Sequence, residues 1–156
     1  MALHITDYRN GFQPGFTPIT SFDDAEDNTG IGFGVLKLRS GERYETAAET
    51  ETAWLLMDGE VVVTIDEQTQ APLSRRSLFD ESPSCVHVAK GTKVSFSCET
   101  DAEFTVHQTA NDKSFAPRIY QPADVPNEHR GKGQVGDTCY RFVRTIFDRS
   151  KADSSA

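Results

Sequence analysis

The stretch Gly41–Ile65, GERYETAAETETAWLLMDGEVVVTI, constrains the fold more than any other part of the chain. A glycine turn opens it and an acidic segment follows. Two apolar runs, Trp54–Met57 and Val61–Ile65, then flank the pair Asp58-Gly59. Apolar runs joined by Asp-Gly predict a β-hairpin, because both residues tolerate the left-handed backbone of a tight hairpin turn. A chain built around such a hairpin needs further strands to cover it.

The rest of the sequence supplies them. Ile31–Leu38 reads as the first strand and Ser40-Gly41 closes it. Beyond the hairpin, Asp66–Pro72 reads as a polar loop, Ser77–Phe79 as a short strand, and Asp80–Ser84 as a turn through Pro83. Val86–Ala89 is a strand ended by Lys90-Gly91. Lys93–Cys98 alternates, with Val94, Phe96 and Cys98 on one side and Ser95 and Ser97 on the other. Ala102–Gln108 follows the turn at Thr100-Asp101. No segment of helical length carries a 3.6-residue pattern, so the expected fold is an all-β sandwich or barrel.

Residues 1–30 read as an irregular arm whose aromatic side chains dock on the domain. Residues 31–108 form the expected barrel core. Residues 109–147, with Pro117, Pro122, Pro126 and the run His129–Gly133, read as an extended connection, and Thr138–Phe147 as its closing strand. The polar tail, residues 148–156, is expected to be disordered.

At 156 residues the chain suits one domain with a real core. Acidic residues outnumber basic ones, 24 to 16, for a net charge of −8. That balance argues against nucleic acid or an anionic membrane surface as the main partner, since both reward a positive face. No apolar stretch reaches the length of a bilayer span, and Met1–Ile5 lacks the regions of a secretory signal. Cys85, Cys98 and Cys139 fit neither a disulfide framework nor a zinc knuckle. A reducing cytoplasm is the expectation, with buried cysteines packed as small apolar groups.

The order of features resembles a known family. Gly41-Glu42 precedes the acidic and apolar runs, and Arg75–Phe79, Pro83, Val86-His87-Val88 and Gly91-Thr92 come later. Pro117–Tyr120 precedes Glu128–Gly133, and Arg141–Ile146 closes the pattern. Together these resemble the N-terminal half of the 5-deoxy-glucuronate isomerases of inositol catabolism, relatives of the 5-keto-4-deoxyuronate isomerases. The resemblance runs from about Gly11 to Phe147. It implies a cupin-type double-stranded β-helix, or jelly-roll barrel, and aldose–ketose isomerisation of a deoxy-uronic acid. Those enzymes carry two cupin domains, and the family's divalent metal sits in the second. The resemblance therefore implies no metal ligand and no cofactor in this chain.

Counting the cupin metal motif onto Gly41 and Gly59 gives the same answer. Its histidine positions fall on Ala47 and Glu49, its glutamate on Thr52, and the later histidine on Val94. A transition metal needs several N or O donors converging at about 2.0–2.2 Å, and alanine, threonine and valine do not supply them. A displaced site is the other reading: Glu45, Glu49 and Glu51 near the hairpin, with His87 and His107 on later strands, could make a carboxylate–imidazole centre for metal or proton transfer. Against it stands a solvated glutamate loop with ordinary barrel histidines. Trp54 shares an inward face with Thr52 and Leu56 and either packs the core or stacks on a sugar. The basic island of Arg130, Lys132, Arg141 and Arg144 either clamps a uronate carboxylate or forms a tight turn paired to local acids. His4 points to nothing specific, and Cys98 reads as packed rather than reactive.

Two functions follow as expectations. One is an isomerase-family cupin acting on a sugar acid, as a short variant or as part of a split enzyme with a separately encoded second cupin domain. The other is a non-catalytic cupin that binds a sugar acid or drives oligomerisation, a dimer being the simplest homo-oligomer. The tail Lys151–Ala156 reads as a natural polar terminus, which bears on whether the chain stands alone.

Overall fold

The computed structural model describes residues 7–23 and 29–150. His4, part of the N-terminal arm and the tail from residue 151 lie outside them. Among the described residues eleven strands follow in chain order: β1 (Gly15–Thr20), β2 (Gly32–Leu38), β3 (Arg43–Ala47), β4 (Glu51–Ile65), β5 (Thr69–Arg75), β6 (Cys85–Val88), β7 (Lys93–Cys98), β8 (Ala102–Thr109), β9 (Arg118–Tyr120), β10 (Asn127–Arg130) and β11 (Arg141–Arg144). The helical content among the described residues is two single turns of 3₁₀ type, Pro122–Asp124 and Val135–Asp137. The all-β expectation holds.

The predicted hairpin at Asp58-Gly59 does not form. Instead β4 runs unbroken through both residues, 15 residues from Glu51 to Ile65. Its first half pairs with β8 and β6, and its second half with β5 and β7. One strand thus belongs to two sheets, β1-β2-β8-β4-β6-β9 and β3-β7-β4-β5. Gly59 serves close approach rather than a turn: at φ 111°, a Cβ there would lie 2.5 Å from the Asp101 carbonyl oxygen. The true hairpin turn comes later. Asp66 and Glu67 both take positive φ, 48° and 60°, and Gln68 N–H donates to Ile65 O at 3.0 Å. That turn sends the chain into β5, so most of the predicted loop Asp66–Pro72 is strand.

A bulge at Met57 lets β4 serve both sheets. Leu56 pairs with Phe104 and Asp58 with Glu103, so Met57 is the extra residue. Before it, Thr52, Trp54 and Leu56 are buried; after it, Val61, Val63 and Ile65 are. The inward parity changes from even to odd across one residue. The five apolar ones, Trp54, Leu56, Val61, Val63 and Ile65, meet Leu36, Val86, Val88, Val94, Phe96, Phe104 and Val106 in one core. Phe96 stacks near both Trp54 and Phe104, with centroids 5.8 and 4.7 Å away. Burying each large apolar side chain stabilises the fold by roughly 1.5–3 kcal/mol.

Other boundaries differ from the sequence reading for local reasons. The arm contains β1, whose Phe16 lies over Gly34 of β2, where a Cβ would meet the ring at 2.5 Å. Ser77–Phe79 is not a strand. The Ser77 hydroxyl donates to the Asp80 carboxylate at 2.7 Å and accepts from the Asp80 N–H, which winds the segment into a turn. The connection 109–147 holds β9, which extends the first sheet beside β6, and the separate hairpin β10–β11. The closing strand narrows to Arg141–Arg144. Asp148–Ser150 forms a turn capped by the Asp148 carboxylate.

Arg75 ties these parts together. It is 6% exposed, and its guanidinium donates to Leu56 O at 2.9 Å, beside the bulge. Arg144 of β11 donates to Leu78 O at 3.1 Å and Phe79 O at 2.7 Å. Burial, and then Arg144, pull the Arg75 pKa below its ordinary value, with Glu81 opposing.

Candidate functional site

The barrel mouth is the first place to look. A cavity of about 220 Å³ there is lined by Tyr44, Ala47, Glu49, Thr52 and Trp54, with Phe16 of β1 on one side. Ala47 and Glu49 are exposed. The Thr52 hydroxyl is turned back onto Thr50 O at 2.9 Å, and Val94 is packed in the core. Trp54 fills the interior behind them. These residues do not fit a divalent metal, because one flexible carboxylate is the sole strong donor at the four positions. Among the described residues no group of three or more His, Cys, Asp or Glu side chains could hold a metal ion.

The outer face of the same sheet is different. Antiparallel partners point to the same side of a sheet. Ala53 of β4 is the partner of both His87 on β6 and His107 on β8, Phe33 on β2 is the partner of His107, and Arg118 on β9 that of His87. One row therefore crosses five strands: Phe33, His107, Ala53, His87, Arg118. Alanine at its centre leaves a gap between two imidazoles. The parity that sequence alone left open is settled: both histidines face outward from the barrel.

Glu51, two residues before Ala53, lies on the same face. Its carboxylate accepts from His87 Nε2 at 2.7 Å through Oε1 and from Asn111 Nδ2 at 2.6 Å through Oε2. His87 is 2% exposed although it points away from the barrel interior, because the connection folds back over it. Its ring lies between Phe147, nearly parallel at 4.5 Å and 11°, and Phe115 at 4.8 Å. Phe147 also stacks on Tyr120 at 5.3 Å. With Nε2 engaged by the carboxylate, His87 Nδ1 is buried and has no hydrogen-bond partner among the described residues. His107 Nε2 sits 3.1 Å from the Thr105 hydroxyl, and partial burial lowers its pKa. A cavity of about 280 Å³ joins Ile31, Glu51, Ala53, His87, His107 and Phe147.

Of the residues singled out from sequence, Glu51, His87 and His107 converge. Glu45 is paired with Arg43 and Glu49 stands at the mouth, so neither joins them. Arg130 and Arg141 stand opposite each other on the β10–β11 hairpin, with Arg130 bonded to Glu128 at 2.8 Å. They do not line the His87 cavity, and Arg144 faces the Leu78–Phe79 carbonyls instead. Gly131 and Gly133 take positive φ at the start of the connection 131–140, which joins those strands through the 3₁₀ turn at Val135–Asp137 rather than by a tight turn. Asn111, Phe115 and Phe147 were not foreseen as site residues; the first two lie in an aperiodic segment, and Phe147 stands at the end of the expected closing strand, past β11. Burial pushes the Cys85 thiol up to about 12, and burial with Glu42 and Asp101 pushes Cys98 up to about 11, so both remain protonated.

The sequence matches the KduI/IolB family across residues 5–156. The chain belongs to that family. It is 28% identical over 101 residues to a 5-deoxy-glucuronate isomerase of Lacticaseibacillus casei, covering 63% of this chain and 37% of that protein. Among solved structures, an IolB-like protein from Salmonella typhimurium LT2 superposes with a TM-score of 0.75 at 26% identity, covering 90% of this chain and 53% of that one. An RmlC-like cupin with a double-stranded β-helix fold from Methanocaldococcus jannaschii superposes with a TM-score of 0.51 over 70% of this chain and 93% of its own; at 15% identity it shows the fold alone. The architecture is thus a KduI/IolB cupin barrel, and the chain spans 37% and 53% of the lengths of its two family relatives.

Proposed function

We propose that this chain serves the aldose–ketose isomerisation of a deoxy-uronic acid, of the 5-deoxy-glucuronate kind, as the metal-free barrel of a two-barrel assembly. The family match over residues 5–156 carries the reading. The division of labour rests on the barrel mouth, where Thr52, Val94 and Trp54 pack instead of ligating. A divalent metal and the proton transfer beside the carbonyl belong, on this reading, to a second cupin barrel. No step of that chemistry is assigned to a residue of this chain. Its own part is to hold the second barrel in place. Leu78, Phe79 and Phe142 are 44%, 85% and 52% exposed, and apolar surface of this kind favours a covering partner.

The test is an isomerase assay with 5-deoxy-glucuronate and added Mn²⁺, Fe²⁺ or Zn²⁺. It is run on the chain alone and on the chain mixed with the C-terminal barrel of the Lacticaseibacillus casei enzyme. The expected result is turnover only in the mixture, with no metal bound to the chain alone by elemental analysis. Metal-dependent turnover by the chain alone would overturn the reading and return the chemistry to this barrel. Silence in both arms would favour the non-catalytic alternative, a sugar-acid-binding or oligomerisation module. A thermal-shift screen with sugar acids separates those two, because a ligand that binds the native state raises the melting temperature.

A further inference from the structure

Among the described residues the barrel's two sheets end on four edge strands, β1 and β9 in the first and β3 and β5 in the second. Three of the four are blunted. β1 contains Pro18 followed by a bulge, β5 contains Pro72, and β9 is three residues long. Proline, bulges and short length are the ordinary devices that keep a sheet edge from pairing with another chain. β3 has none of them. It pairs with β7 in unbroken register and with no other strand among the described residues.

The register shows what this edge presents. At the two ends of β3, Cys98 N–H donates to Glu42 O at 3.0 Å and Ala48 N–H donates to Thr92 O at 2.9 Å. Bonded and open positions alternate along an antiparallel strand, so Tyr44 and Thr46 also turn their backbone groups to β7. Arg43, Glu45 and Ala47 turn theirs to the free edge, and all three residues are exposed. Their side chains share the outer face of the sheet, while Tyr44 packs against the core on the inner face. Arg43 and Glu45 form an ion pair with each other there. An edge guarded by charges of one sign repels its own copy, but these two have opposite signs two residues apart. A second β3 laid antiparallel about Tyr44 sets Arg43 opposite the partner's Glu45, and Glu45 opposite the partner's Arg43. In that register 43 and 45 are the hydrogen-bonded positions, and the two Tyr44 residues form the open pair, where side chains come closest. Centring on Arg43 or Glu45 would set like charges against each other.

We propose that two copies of this chain join through β3, antiparallel and two-fold symmetric about Tyr44, into one continuous sheet. A two-fold interface needs a patch that complements itself, and Arg43-Tyr44-Glu45 is such a patch. The contact uses none of Leu78, Phe79 and Phe142, so it is independent of the second-barrel reading.

Equilibrium sedimentation of the full chain across micromolar concentrations tests it. The wild type is expected at twice the chain mass. Arg43→Glu and Glu45→Arg each place like charges across the two-fold axis and are expected to weaken the dimer at least tenfold. The double exchange restores opposite signs and is expected to restore the dimer. Glu45→Pro removes an N–H that β7 does not use, and is expected to give a monomer with a cooperative melting curve. If Glu45→Pro does not fold, the charge exchanges carry the test. Phe79→Ser, on the other exposed surface, is expected to leave the mass unchanged. The proposal is overturned if the wild type is monomeric, if folded Glu45→Pro stays dimeric, if the charge variants do not follow that order, or if Phe79→Ser dissociates the dimer. Its failure leaves the isomerase assay unaffected, since that assay depends on a different surface.

Discussion

The two faces of one strand make different environments from neighbouring residues. Along β4, Thr52 and Trp54 point into the barrel while Glu51 and Ala53 point out. The inner row is where a cupin would place its metal, and here it is packed with threonine and tryptophan against Phe96 and Val94. The outer row, which in an ordinary barrel would be solvated, carries a buried imidazole, a carboxylate with two donors, and a cavity. The inner face of this sheet is packed, and its polar side chains stand on the outer face. The cover explains how: residues 109–147 bring Phe115 and Phe147 against His87 and Asn111 against Glu51, and so bury the His87 end of the outer row. A face of a sheet is polar or apolar according to what covers it, not according to the strand alone.

The sharpest way to break this comparison is to empty the inner row. Trp54→Ala removes the largest side chain facing Phe96 and is expected to cost about 3–5 kcal/mol in urea unfolding. Glu51→Ala leaves His87 buried with both ring nitrogens unmatched, and is expected to cost about 1–3 kcal/mol. If Glu51→Ala proves the more damaging, the outer row rather than the core holds the domain together. The smallest effect is a pH dependence at His107. Its pKa is lowered by partial burial, so below the ordinary histidine range the unfolded chain binds more protons than the folded one. Stability from this group is complete above about pH 6.5 and falls as pH drops through the folded-state pKa. Melting curves between pH 7.5 and 5 should therefore decline less in His107→Asn than in wild type. Equal slopes would mean that the loss belongs to groups other than His107.

Much of this was legible in the sequence because strands announce themselves by alternation. Lys93–Cys98 and Ala102–Gln108 fall where their patterns place them, and the all-β barrel follows from many short strands without a helical period. The metal motif could be counted residue by residue; of the positions it names, the structure exposes Ala47 and buries Thr52 and Val94. Asp58-Gly59 misled because glycine has two uses: it permits a left-handed turn, and it permits another strand to pass close by. Only the position of Asp101 decides between them, and that is a contact across the fold. The turn at Asp66-Glu67 fell inside the predicted loop Asp66–Pro72, but the loop's end was misplaced because the pairing of Thr69–Arg75 with β4 is a contact across the fold. Glu51, His87 and His107 could be nominated, but their convergence depends on register. Ala53 faces one histidine on each side only because three strands pair at that residue. Asn111, Phe115 and Phe147 had no period to betray them.

The bulge at Met57 has a consequence beyond geometry. It acts as a change of reading frame within a single strand: even positions are read as interior before it and odd positions after it. Straightening the bulge with Met57 kept in the strand, and the pairing of Glu51–Leu56 unchanged, would leave every downstream side chain in phase with the wrong face, turning Val61, Val63 and Ile65 toward water and Val62 and Thr64 toward the core. The sequence of β4 has meaning only with the interruption in place, and the two sheets of the barrel are spelled by one strand in two frames.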